Sequence, residues 1–331
     1  MLFIRFFFKN IIKKRRLFSI MATGESYSFI DIGANLTGFA RTVFNDLLDP
    51  MYQGVYYGKN CHPPDLDSVL KRSYETGVEK IIVTGGSLSD CKDALQLSLN
   101  EDHLYTTVGV HPTRCGDFET EPQKHLSELL NLAKENRKKV VAIGECGLDY
   151  DRLHFCDKST QLKYFEEQLS LAEETSLPLF LHCRNSFSDF MSILKRNRNK
   201  IRSGGVIHSF DGTEEEMREA VEFGLHVGVN GCSLKTSKNL EVVKEIPADR
   251  LLLETDAPWC EIRPSHSSHQ FVKTHFPSKK KERWEEGESV KSRNEPRNII
   301  QVLEVVAGVR GVEPASLAKQ VYQNTVLLFK F

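Results

Sequence analysis

VVAIGECGLD, residues 140–149, opens with an apolar strand-like run, 140–145, that brings a carboxylate, Glu145, to its end. A carboxylate buried in such a place is costly unless it is paired or metal-bound. Three more runs repeat the pattern with other ligand-type residues: His182 in PLFLHCR (178–184), His208 in GGVIHSF (204–210) and Asp256 in RLLLETDAP (250–258). The gaps of 37, 26 and 48 residues are too wide for a zinc finger and suit successive turns of a β/α repeat. In a TIM (β/α)8 barrel the C-terminal ends of the strands converge on one mouth. Two imidazoles and two carboxylates meeting there would make a metal-dependent hydrolytic centre. Either histidine alone reads better as a satisfied core residue; the four together make that coincidence hard to sustain.

Working outward, eight strand-like runs appear: 29–33, 80–86, 105–110, 140–145, 177–182, 204–209, 225–230 and 250–256. Most are near-continuous aliphatic stretches, as expected of parallel strands covered on both faces. Segments with apolar residues at helical spacing lie between them, at 66–77, 89–100, 123–138, 160–176, 187–197 and 213–224. Gly77 and Gly224 sit where a helix end needs a left-handed residue. Alternation of this kind argues for a closed barrel, with an open doubly wound sheet as the runner-up. Cys146 and Cys183, which follow Glu145 and His182 directly, should face the outer helical layer.

Residues 257–296 break the pattern with four prolines, three histidines and the tract SKKKERWEEGES (278–289). A loop this long in a compact domain is usually functional or disordered. Lys279, Lys280, Lys281, Arg283 and Trp284 would suit a phosphate backbone and a stacked base. A solvated loop balanced by Glu282, Glu285, Glu286 and Glu288 is at least as good a reading. Two helices, roughly 295–309 and 314–329, should close the chain.

With 331 residues, a single barrel plus one extra segment fits as well as two domains. Residues 1–20 carry six cations and no acid, so the formal net charge of −1 leaves −7 on the remainder. Bulk charge therefore does not announce a nucleic-acid binder, although local cations or metals can still bind a polyanion. Residues 1–28 read as an N-terminal extension, either an organellar transit peptide or an upstream start before Met21, and residues 29–331 as the barrel. The apolar run in that extension is too short to span a membrane, so no stable membrane association is expected. The eight cysteines (61, 91, 115, 146, 156, 183, 232 and 260) form no CxxC pair and suit reduced thiols in an intracellular protein. Its compartment would be cytoplasmic or nuclear, or mitochondrial or another organelle if the extension is a transit peptide. Nothing in the sequence identifies a protein partner.

FIDIGANLT (29–37), TVGVHPTRCG (107–116), AIGECGLDYDR (142–152), LPLFLHCRNS (177–186), GGVIHSFDGT (204–213), LLLETDAPW (251–259) and SRNEP (292–296) together resemble the TatD family of metal-dependent deoxyribonucleases. The resemblance runs from residue 29 to the end of the chain. It implies an amidohydrolase-like (β/α)8 barrel, one or two divalent cations and hydrolysis of DNA phosphodiester bonds, 3′-5′ exonuclease-like. It places metal-ligand roles on Glu145, His182, His208 and Asp256, with Glu145 as a bridge between cations. Glu145 and Asp256 are also the candidate catalytic carboxylates.

One departure bears on the metal. Where many members of the family carry a His-x-His pair at the end of the first strand, this chain has Gly33 and Asn35. Oxygen from Asp31 or Asn35 in place of the two imidazoles would shift preference from Zn²⁺ toward Mg²⁺ or Mn²⁺. Alternatively, Asp31 caps a turn and Asn35 only orders a loop. Histidines restored at 33 and 35 would be expected to tighten that cation position toward Zn²⁺, if the strand tolerates the added bulk. His111, Arg184 and Asn35 are the candidate substrate contacts: His111 for a phosphate oxygen, Arg184 as a clamp or as the partner of a rim carboxylate. Asp211, Asn230 and Glu254 read as supporting residues, and Arg293, Asn294 and Glu295 as ties for the long loop. Two other functions stay open: a metal-dependent hydrolase of a small amide, ester or aminoacyl bond, and a non-catalytic binding protein.

Overall fold

The computed structural model describes residues 27–37 and 50–331. The N-terminal extension expected at 1–28 lies outside the described residues, apart from its last two. Eight parallel strands follow one another around the sheet in chain order. They are β1 Phe29–Ala34, β2 Val78–Val83, β3 Leu104–Val108, β4 Val140–Asp149, β5 Leu179–Arg184, β6 Gly205–Ile207, β7 His226–Val229 and β8 Leu251–Leu253. The last turn closes on the first strand. Ala34 bridges Ala257 in parallel, and Asp256 N donates to Gly33 O at 2.8 Å. The expected (β/α)8 barrel is the fold.

Helices α1 Leu66–Glu75, α2 Leu88–Asn100, α3 Pro122–Glu135, α4 Lys158–Thr175, α5 Phe187–Arg196, α6 Glu214–Phe223 and α7 Ser237–Glu245 occupy the crossovers. Helices α8 Ile299–Arg310 and α9 Pro314–Phe329 follow β8. Helix α7 has no counterpart in the sequence reading, because only Leu240 and Val243 form its buried stripe. Its start is nonetheless signalled by a capping box between Thr236 and Asn239. Gly77 and Gly224 adopt φ of 96° and 101° where α1 and α6 end.

Two apolar layers result. Ile32, Ile82, Ala142, Phe180, Val206 and Leu252 fill the barrel interior, joined by Leu328 and Phe329 of α9. The larger layer lies between strands and helices and contains Cys146, with Cys183 packed against it. Both thiols therefore point outward, as the strand alternation requires.

The thiol expectation needs one correction. Cys232 and Cys260 form a disulfide with a Cα–Cα distance of 5.1 Å, while the other six cysteines are free. The two lie 28 residues apart, so no short motif marks them. They meet because β7 and β8 are neighbours and the loops leaving their C-terminal ends run side by side.

Residues 257–296 are more ordered than expected. Ser278–Lys279 pairs with Ser289–Val290, and Ser267–Phe271 forms a helical turn. Part of this loop's charge and its ring are engaged within the protein: Lys279 pairs with Glu285, Lys281 lies over Tyr56 and Tyr57, and Trp284 stacks on His62 at 5.2 Å, while Lys280 and Arg283 are exposed. Its anchor is the expected SRNEP segment. Asn294 donates to the carbonyls of Thr255 and Trp259 at 2.9 and 2.7 Å. Arg293 binds Asp65 through both terminal nitrogens at 2.7 Å. Among the described residues no helix is long and apolar enough to cross a membrane.

Both oxygens of Asp31 are already engaged within the protein. It accepts hydrogen bonds from Thr255 N at 2.9 Å and from Gly33 N at 3.3 Å, and its second oxygen meets Thr255 Oγ1 at 2.5 Å. It thus ties β1 to the turn after β8. Burial pushes its carboxyl up to about 8. The folded protein therefore keeps a proton that the unfolded chain releases from pH 3.8 upward. The stability this implies is present below about pH 4 and is lost as pH rises toward 8. Asp31→Asn, which can repeat all three contacts without ionising, is expected to remove that slope. Urea unfolding across pH 4–8 should show the variant gaining on the unmodified protein as pH rises; parallel curves would contradict this.

Candidate metal centre

The site is built by backbone devices that turn ligand-type side chains toward the mouth. In β4 the register with β5 slips between Ile143 and Cys146, a bulge of the sort that re-aims side chains beside active sites. Gly144 carries it with φ of 143°, and a Cβ there would stand 2.0 Å from Phe180 O, so only glycine fits. Beyond the bulge, Glu145, Gly147 and Asp149 alternate onto one face. β6 and β8 are shorter than the apolar runs suggest, ending at Ile207 and Leu253. His208 and Asp256 accordingly stand just past their strands, Asp256 with a left-handed φ of 53°.

Glu145, His182 and His208 are buried together. Glu145 Oε1 lies 2.7 Å from His182 Nδ1 and 2.8 Å from His208 Nε2, and the two nitrogens are 3.2 Å apart. Donors about 2.1 Å from one cation stand roughly 3.0–3.4 Å from each other in octahedral or tetrahedral arrangement. One carboxylate oxygen and two imidazole nitrogens at 2.7, 2.8 and 3.2 Å stand within a few tenths of an ångström of these spacings and would fit a divalent cation. Burial would raise the Glu145 carboxyl, but the His208, His111 and His182 imidazoles hold it well below the usual carboxylate range. Burial opposes charge on His208 as well, yet Glu145 and Glu254 raise it well above the ordinary imidazole value. Glu145 is therefore held as an anion at the centre of the cluster. Phe180 stacks against the His208 ring at 4.9 Å.

Asp256 faces the same mouth but is not one of the close donors: the three-atom cluster contains Glu145, His182 and His208 only. Its Oδ1 accepts from Asn35 Nδ2 at 2.8 Å, and Oδ2 lies 3.2 Å from Cys260 Sγ. Burial pushes its carboxyl up to about 7, against the pull of His208. Asn35 thus orders Asp256. Glu254 is fully buried and lies 3.6 Å from His208 Nδ1, too far for a hydrogen bond, while Ser209 N and Asn230 Nδ2 donate to its other oxygen. Asp211 is exposed.

The position of the missing histidine pair is crowded. A Cβ at Gly33 would stand 2.8 Å from Glu254 Oε2 and 3.0 Å from Phe180. A histidine placed at 33 would therefore require the Glu254 carboxylate and the Phe180 ring to shift, which is the added bulk on which the expected tightening depends.

His111 reaches the mouth with Nε2 3.5 Å from Glu145 Oε1. Thr113 N donates to its Nδ1 at 3.2 Å, which leaves the ring proton on Nε2, pointing into the site. Burial lowers its pKa to about 3, so the ring is neutral. Arg184 ends β5 opposite Asp149, and its buried Nε has no hydrogen-bond partner among the described residues.

Asp149 is the residue that the sequence reading passed over. His182 Nε2 lies 3.1 Å from its Oδ2, and Arg152 Nη1 lies 3.3 Å from the same oxygen. With His111 and His182 it forms a second group of ligand-type atoms. The available signal was its spacing of four from Glu145, which places both on one strand face if the strand continues.

Residues 57–330 match the family model described as TatD related DNase. The chain is 46% identical over 92% of its length to the deoxyribonuclease Tat-D of Schizosaccharomyces pombe, covering 96% of that protein. It is 37% identical over 80% of its length to the 3′-5′ ssDNA/RNA exonuclease TatD of Erwinia tasmaniensis, covering 93% of it. The crystal structure of a TatD family hydrolase from Entamoeba histolytica superposes with a TM-score of 0.84 at 39% identity, covering 92% of this chain and 98% of that one.

Proposed function

The chain belongs to the TatD-related DNase family, and from that membership we propose that it is a divalent-metal-dependent deoxyribonuclease. A 3′-5′ exonuclease mode is the reading favoured by its similarity to the exonuclease of Erwinia tasmaniensis. The observation that carries the proposal is the convergence of Glu145 Oε1, His182 Nδ1 and His208 Nε2 within 3.2 Å of one another at the barrel mouth. These three residues would hold the tighter cation. A weaker position near Asp256 would take further oxygens from the substrate phosphate, which would favour Mg²⁺ or Mn²⁺, with Zn²⁺ as the alternative. When bound, the cation supplies Lewis acidity toward the phosphodiester and lowers the pKa of the attacking water.

The remaining work falls to the chain's own side chains. Asp256, whose carboxyl is pushed up to about 7, accepts the water's proton near neutral pH, and Asn35 fixes its orientation. His111 donates its Nε2 proton to a phosphate oxygen, and Arg184 binds a second oxygen. The His111 ring is neutral, with its pKa lowered to about 3, so it does not compete with Asp256 for the proton.

The test is a panel of end-labelled single- and double-stranded DNAs presented to chelated protein, with Mg²⁺, Mn²⁺ or Zn²⁺ added back. Cleavage should vanish on chelation and return with Mg²⁺ or Mn²⁺, with mononucleotides released from one end. Metal-restored hydrolysis of small amides or esters, with every DNA left intact, would overturn the proposal in favour of a metabolite hydrolase.

A further inference from the structure

His182 lies between two carboxylates, one on each ring nitrogen, and only one of them belongs to the cation cluster. Its Nδ1 faces Glu145 Oε1 at 2.7 Å and His208 Nε2 at 3.2 Å; its Nε2 faces Asp149 Oδ2 at 3.1 Å. We propose that Asp149 is a positioning residue, which accepts the Nε2 proton of His182 and thereby presents the Nδ1 lone pair to the cation. The inference rests on the metal-centre reading above.

A neutral imidazole carries one proton. If it sits on Nδ1, the ring turns an N–H toward the cation and cannot ligate it. If it sits on Nε2, Nδ1 is free as a donor. An acceptor fixed at Nε2 selects the second tautomer and also the ring orientation, the usual task of an outer carboxylate beside a metal-bound histidine.

Asp149 is built to be that acceptor. It is fully buried, and its backbone is held independently of its carboxylate: Gln161 Oε1 accepts from its N–H at 2.8 Å, and Gln161 Nε2 donates to its carbonyl at 3.0 Å. Its Oδ1 accepts from Asp151 N at 3.1 Å, which fixes the carboxylate plane. The other oxygen, Oδ2, is the one turned to His182.

The rival is a second cation held by His111, Asp149 and His182, which also cluster. Two observations weigh against it. The Asp149 oxygen that would ligate already meets the Arg152 guanidinium at 3.3 Å, and a fixed cation there repels another. His182 would also have to ligate through both nitrogens at once, which a neutral imidazole cannot do.

The experiment has two arms, neither of which reads DNA cleavage, so a failed nuclease assay leaves it intact. In the first, the ¹⁵N-labelled unsubstituted protein is loaded with Zn²⁺, and two-bond proton–nitrogen spectra of the imidazoles are recorded. The His182 proton should be on Nε2; a proton on Nδ1, or on neither nitrogen, overturns the proposal. In the second, Mn²⁺ affinity and stoichiometry are measured for Asp149→Asn, whose amide turns a donor toward Nε2 and favours the wrong tautomer. Affinity should fall about 10–100-fold with unchanged stoichiometry, and Asp149→Glu should recover part of it. Unchanged affinity, or loss of one whole equivalent while the other binds as before, overturns it. If Asp149→Asn does not fold, the first arm decides.

Discussion

Replacing Glu145 with glutamine is expected to lower metal-dependent DNA cleavage by about 100-fold or more while leaving the barrel folded. Glu145 Oε1 is the atom common to the short contacts with His182 and His208. The amide keeps the shape and removes the charge that draws a cation into a pocket shared with two imidazoles. Residues that merely orient a ligand cost about 10–100-fold in metal affinity or activity, and a direct ligand should exceed that. Cleavage rates and metal content by mass spectrometry should fall together, with the melting temperature little changed. Near-normal turnover with a full complement of metal would remove Glu145 from the centre.

Arg293→Met is expected to produce the largest loss of stability, roughly 3–5 kcal/mol, the usual cost of removing one partner from a buried ion pair. The Arg293 side chain is wholly buried, bidentate on Asp65 and 3.3 Å from Glu295. Without it Asp65 retains, among the described residues, only Arg72 as an ionic partner, at 3.9 Å. Adding Asp65→Asn to the variant should recover much of the loss, because it removes the stranded charge. The consequence reaches the mouth through Asn294, the adjacent residue, which holds the turn carrying Asp256 by the carbonyls of Thr255 and Trp259. Urea unfolding of the single and double variants measures both effects. A single variant within 1 kcal/mol or so of the unmodified protein would show that the cluster does not anchor the loop.

The barrel was legible because parallel strands covered on both faces cannot alternate, so each appears as an apolar run punctuated by one conspicuous polar residue. The candidate ligands Glu145, His182 and His208 were legible as a group for the same reason: each interrupts apolar sequence where a polar group needs a partner. Asp149 was not, since its place at the site depends on a bulge at Gly144 that lets β4 run four residues past Glu145. Which of the two roles left open for Asp31 it takes was not legible, because its partner, Thr255, is 224 residues away and becomes a neighbour only when the barrel closes. The Cys232–Cys260 pair and the collision at Gly33 were equally invisible, being facts of which loops and side chains meet across β7, β8 and β1. Local pattern specifies the elements and the polar residues within them; which atom of each faces which partner is set by register.

The most direct test of the metal centre is diffraction from crystals soaked in Mn²⁺ without DNA, recorded with the anomalous signal of manganese. The strongest anomalous peak is expected about 2.0–2.2 Å from Glu145, His182 Nδ1 and His208 Nε2. Any peak beside Asp256 should be weaker. A strongest peak between His111 and Asp149, or none within the barrel mouth at Mn²⁺ concentrations that support cleavage, would contradict the assignment.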